Sequence, residues 1–197
     1  MKENNLEIIA EIGVNHNGKL SIAKKLINIA KKSGATAVKF QTYKTDNFVT
    51  KKTKKVKYQL NKLNKNETHY EMLKKFELTI KDFIILKKYC KKKNIEFIST
   101  PYDLESVDIL EKINVKRYKV ASADIDDYLL HKKISLTKKK VIISTGMSMI
   151  SDIKKVIKIY DKKKVTLLHC VSAYPCELKD SYISRIDKLK KTFKLPV

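Results

Sequence analysis

Lys39 and Gln41 stand two apart in the apolar run Val38-Lys39-Phe40-Gln41-Thr42. Strand side chains alternate between faces. If Val38 and Phe40 enter an apolar layer, Lys39 and Gln41 share the opposite face. A lysine inside an apolar strand is costly unless something anionic meets it. Arg117-Tyr118-Lys119-Val120-Ala121 repeats the arrangement, with Lys119 framed by Tyr118 and Val120. Two strand lysines facing one interior point to a site for a small, multiply charged anion.

Further polar groups recur near the ends of apolar runs. Glu11 lies in the run from Leu6 to Gly13, with His16 and Asn17 on the turn that follows. Ser99 and Thr100 close the run from Ile95. Ser122 follows Lys119, and Asp124 comes just beyond it. Ser144 and Thr145 precede Gly146, and His169 is followed by Ser172 and Tyr174. Each has a bland explanation as well. Ser-Thr before Pro or Gly is ordinary turn chemistry, His169 can be a hydrogen-bonded core residue, and Asp124 can cap the next helix. His69 and His131 fall in helical or connecting stretches and receive no role. The recurrence of polar groups at six successive strand ends is what packing alone does not explain.

The elements that must position these groups follow from periodicity. Strands are expected over 6–13, 37–41, 95–100, 117–121, 140–144 and 165–169. Helices are expected over 20–32, 70–76, 103–112, 128–136 and 182–193. Two more are expected to be capped by Thr79, running through Lys93, and by Ser151, running to Tyr160. Residues 43–67 are polar and aperiodic. Six strands, each followed by helical material, give an α/β fold of the (β/α)8 barrel type, truncated to about six βα units, with its site at the strand C-terminal rim. No Gly-x-Gly-x-x-Gly follows the first strand, which argues against a dinucleotide-binding half.

The 197 residues, 43% hydrophobic, suffice for one domain with a real core. No apolar run approaches a membrane span and no signal peptide is apparent, so a cytoplasmic protein without a membrane partner is expected. Cys90, Cys170 and Cys176 show no metal-ligand spacing and read as reduced thiols. The formal charge is +23, yet of the 44 basic residues only Arg117 and Arg185 are arginines. Sequence-specific nucleic-acid readers lean on arginine, so no specific nucleic-acid partner is expected. Weak, salt-sensitive binding to polyanions remains an alternative reading of the charge.

Six segments carry a resemblance. They are Ala10-Glu11-Ile12-Gly13-Val14-Asn15-His16-Asn17-Gly18, Val38-Lys39-Phe40-Gln41-Thr42, Phe97-Ile98-Ser99-Thr100-Pro101-Tyr102, Tyr118-Lys119-Val120-Ala121-Ser122, Ile143-Ser144-Thr145-Gly146-Met147 and Leu168-His169-Cys170-Val171-Ser172-Ala173-Tyr174-Pro175. In this order they resemble the signatures of the N-acetylneuraminate (sialic acid) synthases, a family that includes legionaminic and pseudaminic acid synthases and spore-coat polysaccharide synthases.

The resemblance implies a TIM barrel followed by an antifreeze-like domain. It also implies condensation of phosphoenolpyruvate with an N-acylated hexosamine, giving a nonulosonic acid and phosphate for surface carbohydrate. By the same resemblance Lys39, Thr100, Lys119, Ser122 and Ser144 would bind phosphoenolpyruvate. Gln41, Ser172 and Tyr174 would face the sugar, and Glu11 and Asp124 would be catalytic. Asp124 stands where many members carry Glu, and Ser172 where some carry Asn. The family's divalent metal, Mn2+ or Mg2+, is held by two histidines of strands seven and eight, and neither strand is in this sequence. No residue here is therefore expected as a metal ligand. Residues 1–197 read as an incomplete barrel domain with two exposed strand edges, working as a homodimer or with a separate C-terminal half, or else as a catalytically silent fragment.

Overall fold

The computed structural model describes residues 6–55 and 67–197. Six strands run in one parallel sheet in sequence order: β1 (Ile9–Gly13), β2 (Ala37–Thr42), β3 (Glu96–Pro101), β4 (Arg117–Val120), β5 (Lys140–Ser144) and β6 (Val165–Leu168). The helices are α1 (Leu20–Lys32), α2 (Thr45–Phe48), α3 (His69–Phe76), α4 (Ile80–Lys92), α5 (Leu104–Lys112), α6 (Tyr128–Leu136), α7 (Ile150–Ile157) and α8 (Arg185–Phe193). This is the α/β order of a (β/α)8 barrel through six units.

The alternation expected in β2 is present. Val38 and Phe40 are fully buried and join the helix-side core. Phe40 stacks on Phe97 of β3 at 5.2 Å, and Phe97 meets Phe83 of α4 edge-on at 6.3 Å. Lys39 and Gln41 point to the other side. The register places Glu11, Lys39 and Ile98 abreast on β1, β2 and β3, and Lys119 beside Ile142 on β4 and β5.

Local chemistry sets the helix ends. Thr68 with Glu71 and Thr79 with Asp82 form capping boxes on α3 and α4, and Asp103 accepts the Ser106 N–H at the start of α5. After α4, α5 and α6 the chain turns through left-handed Asn94, Asn114 and Lys138. Gly18, at φ +71°, packs the turn after β1 against α3, where a Cβ would lie 2.3 Å from the Lys75 carbonyl oxygen.

Part of the lysine excess has a structural use. Lys31 donates to the Asn94 carbonyl, Lys87 to those of Ile113 and Asn114, and Lys164 to that of Lys138. Each cation sits on carbonyls just past a helix C-terminus, the negative end of the helix dipole.

Several boundaries differ from expectation. β1 starts at Ile9, β2 runs one residue longer to Thr42, β3 is shifted by one residue to Glu96–Pro101, β4 stops at Val120, and β6 stops at Leu168. α7 starts at Ile150 with Met149 at its cap, so Ser151 is inside the helix. There the Asp152 carboxylate accepts the Met149 N–H at 3.0 Å and does the capping. α7 ends at Ile157 rather than Tyr160, and α8 starts at Arg185 rather than Tyr182. Of the aperiodic stretch 43–67, residues 45–48 form α2, and 56–66 lie outside the described residues.

The edge of β6 also departs from expectation. The Leu167 N–H donates to the Pro196 carbonyl at 2.9 Å, so the segment after α8 lies against β6 where a next strand belongs.

Candidate active site

The strand C-terminal ends gather the polar residues into one mouth. Lys39, 9% exposed, places Nζ 2.8 Å from Glu11 Oε2 and 3.1 Å from Thr100 Oγ1. Lys119, 8% exposed, donates to its neighbour's carbonyl, Val120 O, at 2.9 Å and to Ser144 Oγ. Burial and the Lys39 ammonium together pull the Lys119 pKa down to about 8. The Lys39 ammonium therefore lies close enough, in a low-dielectric space, to disfavour charge on Lys119. A site that holds two ammonium groups against their own repulsion is built for an anion.

The acids sit around this pair. Burial, then the neighbouring Asp127 carboxylate, push the Asp124 pKa up to about 6, while Lys119 opposes the shift. Asp124 Oδ2 is buried without a hydrogen-bond partner. Asp124 does not cap α6, because Asp127 accepts the Leu130 N–H there at 2.9 Å. Glu11 also borders Gln41: a Cβ on Gly13 would lie 3.3 Å from Glu11 Oε1 and 3.8 Å from Gln41 Nε2.

The loops after β4, β5 and β6 meet at Gly146. Its N–H donates to Ser122 Oγ at 3.0 Å. A Cβ there would meet Ser172 Oγ at 2.6 Å, Ser122 Oγ at 2.9 Å and the Cys170 carbonyl at 3.2 Å. Only glycine lets these three loops close together. Cys170 Sγ donates to Ser144 Oγ at 3.3 Å, placing the thiol beside Lys119's hydroxyl partner.

Residues 26–197 match the NeuB family, which is most of the chain. This chain belongs to the NeuB family. It is 43% identical over 195 residues to the N,N'-diacetyllegionaminic acid synthase of Campylobacter jejuni, covering 96% of this chain and 58% of that protein. Against the enzyme of that name from Legionella pneumophila it is 42% identical over 199 residues, covering 96% and 55%. The crystal structure of the N-acetylneuraminic acid synthetase of Leptospira borgpetersenii in complex with citrate superposes with a TM-score of 0.84 at 34% identity, covering 98% of this chain and 64% of that one. The chain thus spans little more than half the length of the curated relatives it matches.

Among the residues expected at the NeuB site, the structure brings Glu11, Lys39, Thr100, Lys119, Ser144 and Asp124 together, joins Ser122 and Ser172 through Gly146, and sets Gln41 beside Glu11. Tyr174 is 79% exposed at the rim. Two histidines have packing roles. His16, 1% exposed, accepts the Gly18 N–H on Nδ1 at 3.0 Å, and burial pulls its pKa down to about 4. His169 Nε2 lies 2.7 Å from the Ser181 carbonyl, which is the hydrogen-bonded reading of that residue.

Tyr102, Cys170 and Gly146, to which the sequence alone assigns no role, also border the mouth. The Tyr102 ring rests on Phe48 at 4.7 Å, and burial raises its hydroxyl pKa with the charges of Asp124, Glu11 and Tyr174 adding to it. Tyr102 and Cys170 stand inside the quoted segments, just past the ends of β3 and β6, and only the folded chain sets them beside Asp124 and Ser144.

A divalent metal finds no ready ligand set. Among the described residues no group of three or more His, Cys, Asp or Glu side chains is placed to hold one. Nor is any helix among them long and apolar enough to cross a membrane.

Proposed function

We propose that this chain binds phosphoenolpyruvate between Lys39 and Lys119 and contributes that site to the synthesis of a nonulosonic acid from an N-acylated hexosamine. The observation that supports it above all is the Lys39–Lys119 pair, whose mutual repulsion a bound dianion relieves. Ser144 and Thr100 hydroxyls, each already on a lysine, supply further donors to phosphate or carboxylate oxygens, and Ser122 lies alongside. Gln41, Ser172 and Tyr174 line the side left for the sugar.

The chemistry then runs as follows. The C3 carbon of phosphoenolpyruvate bonds to the aldehyde carbon, whose oxygen takes up the electron pair. Positive charge develops at C2. Water adds there and gives up a proton to a carboxylate. Asp124, with its pKa near 6, is mostly ionised at neutral pH yet basic enough to accept it. Glu11 is the second candidate, held by Lys39. The carboxyl passes its proton to the new alkoxide, the C2–O bond to phosphate breaks as the C2 hydroxyl gives its proton to the departing phosphate and becomes the ketone, and the lysines stabilise that phosphate. The family's metal has no ligand set among the described residues, so no step here is assigned to it. Phosphoenolpyruvate is an intracellular metabolite, and the reaction is accordingly proposed for the cytoplasm.

The test is calorimetric binding of phosphoenolpyruvate to the chain and to its Lys39→Met and Lys119→Met variants. It is followed by phosphate release with a panel of N-acylated hexosamines and Mn2+, using the chain alone and mixed with the C-terminal half of the Campylobacter relative. Binding lost in both variants, with release that depends on the sugar, is the expected result. Equal binding by wild type and variants, or none at millimolar ligand, overturns the reading.

A further inference from the structure

Among the described residues two buried side-chain polar atoms lack a hydrogen-bond partner: Asp124 Oδ2 and His131 Nε2. They belong to one local unit. Asp124 ends the short 3-10 turn Ser122–Asp124. The Asp127 N–H then donates to the Asp124 carbonyl at 3.1 Å, and the His131 N–H to the Asp127 carbonyl at 3.0 Å in the first turn of α6.

The His131 side chain is fully buried and folds back under the turn. Its Nδ1 lies 2.8 Å from the hydroxyl of Tyr160, just past α7, and the rings meet edge-on at 5.6 Å and 84°. Its other edge faces the backbone carbonyls of Asp124 and Ile125, without closing a hydrogen bond to either. The carbonyls of Asp124 and Ile125 offer the ring acceptors, so we assign the ring proton to Nε2, with Nδ1 then accepting from Tyr160. Burial keeps the ring neutral, and Asp127 is the acidic charge opposing that effect. The charges facing Asp124 itself are Lys119, Asp126 and Asp127.

We infer that His131, locked to Tyr160, is a positioning residue for Asp124: its neutral ring props the backbone of residues 124 and 125 and fixes where the Asp124 carboxyl stands beside Lys119. This assignment rests on the proposed role of Asp124, but its geometry is independent of substrate. The aspartate alone does not explain a buried imidazole beneath it, since Asp127 already caps the helix.

The experiment is NMR titration of the chain without substrate, with 13C-labelled aspartate and 15N-labelled histidine. The wild-type Asp124 carboxyl is expected to titrate near 6, and His131 to remain the Nε2–H tautomer between pH 6 and 8. In His131→Phe the Asp124 midpoint is expected to move by about half a unit or more. In His131→Gln, whose amide nitrogen can take the place of Nε2, it is expected to return toward the wild-type value. Tyr160→Phe keeps the buried volume and decides the matter should His131→Phe fail to fold; there the Asp124 midpoint is expected to shift in the same sense.

An Asp124 midpoint unmoved in a folded His131→Phe, or in Tyr160→Phe where His131→Phe does not fold, overturns the inference. So does a wild-type His131 protonated on Nδ1, or on both nitrogens, in that pH range. Where phosphate release is measurable, kcat is expected to fall in His131→Phe with KM for phosphoenolpyruvate unchanged. Wild type without phosphoenolpyruvate binding would sink the proposed function and leave this titration result standing.

Discussion

The Lys39 ammonium lies 2.8 Å from the Glu11 carboxylate, and the Glu11 side chain is 54% exposed. The pair joins β1 to β2 at the position where their register sets Glu11 opposite Lys39. An incoming dianion must share Lys39 with a carboxylate that repels it. Glu11→Gln removes that repulsion and keeps the shape. The expected outcome is phosphoenolpyruvate binding tightened by up to about fivefold, because an exposed charge contact is worth about 1 kcal/mol or less. Turnover is expected to fall about a hundredfold as a proton acceptor is lost. Calorimetry and phosphate release check the two effects separately.

Lys119 gives a signature in protons. Its folded-state pKa lies near 8, below the ordinary lysine value, through burial and Lys39. A bound dianion favours the charged form and raises that pKa. Between pH 8 and 9 the free site is largely neutral at Lys119, so binding is expected to take up protons, approaching about one per ligand. Calorimetry in buffers of different ionisation enthalpy measures this uptake directly. Intact binding with no uptake in that range would contradict the placement of the ligand.

Asp124 is expected to lower stability when ionised. Its pKa is raised to about 6, mainly by burial. A carboxyl with a raised folded-state pKa binds more protons folded than unfolded between its unfolded value and about 6. Its contribution is therefore lost as pH climbs through that window. Asp124→Asn removes the penalty. We expect it to be more stable than wild type by about 1–2 kcal/mol at pH 7 and indistinguishable at pH 4, a figure reduced for the partial exposure of the group. Urea unfolding at the two pH values tests the difference.

Gly146→Ala is expected to damage the site without a change of charge. The new methyl would press on Ser172 Oγ, Ser122 Oγ and the Cys170 carbonyl. Ser122 can rotate away only by giving up the Gly146 N–H it accepts. Destabilisation of about 1–3 kcal/mol is expected, with weaker phosphoenolpyruvate binding. Thermal unfolding with and without ligand measures both.

The period-two pattern around Lys39 and Phe40 made the buried lysine legible, since alternation is a local property of the chain. The same holds for Thr79, whose cap acts within three residues, whereas Asp103, read as the first helical residue, is the cap of α5. The cap of α7 is harder to read, because Ser151 and Asp152 are equally good capping types and it is Asp152, from the helix side, that does the work. What stayed hidden was non-local. The Glu11–Lys39 pair depends on strand register, the approach at Gly146 on three separate loops, and the His131–Tyr160 contact on the packing of α6 beside the end of α7. None of these leaves a spacing in the sequence.

The opposite end of the sheet offers a control that separates folding from function. Arg117, at the start of β4, donates from Nε to Glu96 Oε1 at 3.0 Å and from Nη2 to Glu96 Oε2 at 2.9 Å, while Nη1 reaches Glu7 Oε2 at 2.8 Å. One guanidinium thus ties the segment before β1 to β3 and β4. A lysine cannot reproduce the fork. Glu7, hydrogen-bonded to Arg117, has its pKa held below the ordinary glutamate value of 4.5. A carboxyl with a depressed folded-state pKa contributes stability above its unfolded value and loses it as pH falls through the folded one. Arg117→Lys is therefore expected to cost about 1 kcal/mol at pH 7, discounted for Glu7's exposure, and to narrow the gap from wild type below about pH 4. Phosphoenolpyruvate affinity in the folded variant is expected to be unchanged, because the cluster sits at the strand N-terminal ends, away from Lys39 and Lys119. A variant that kept full stability at pH 7 would show that the fork does not hold the edge of the sheet.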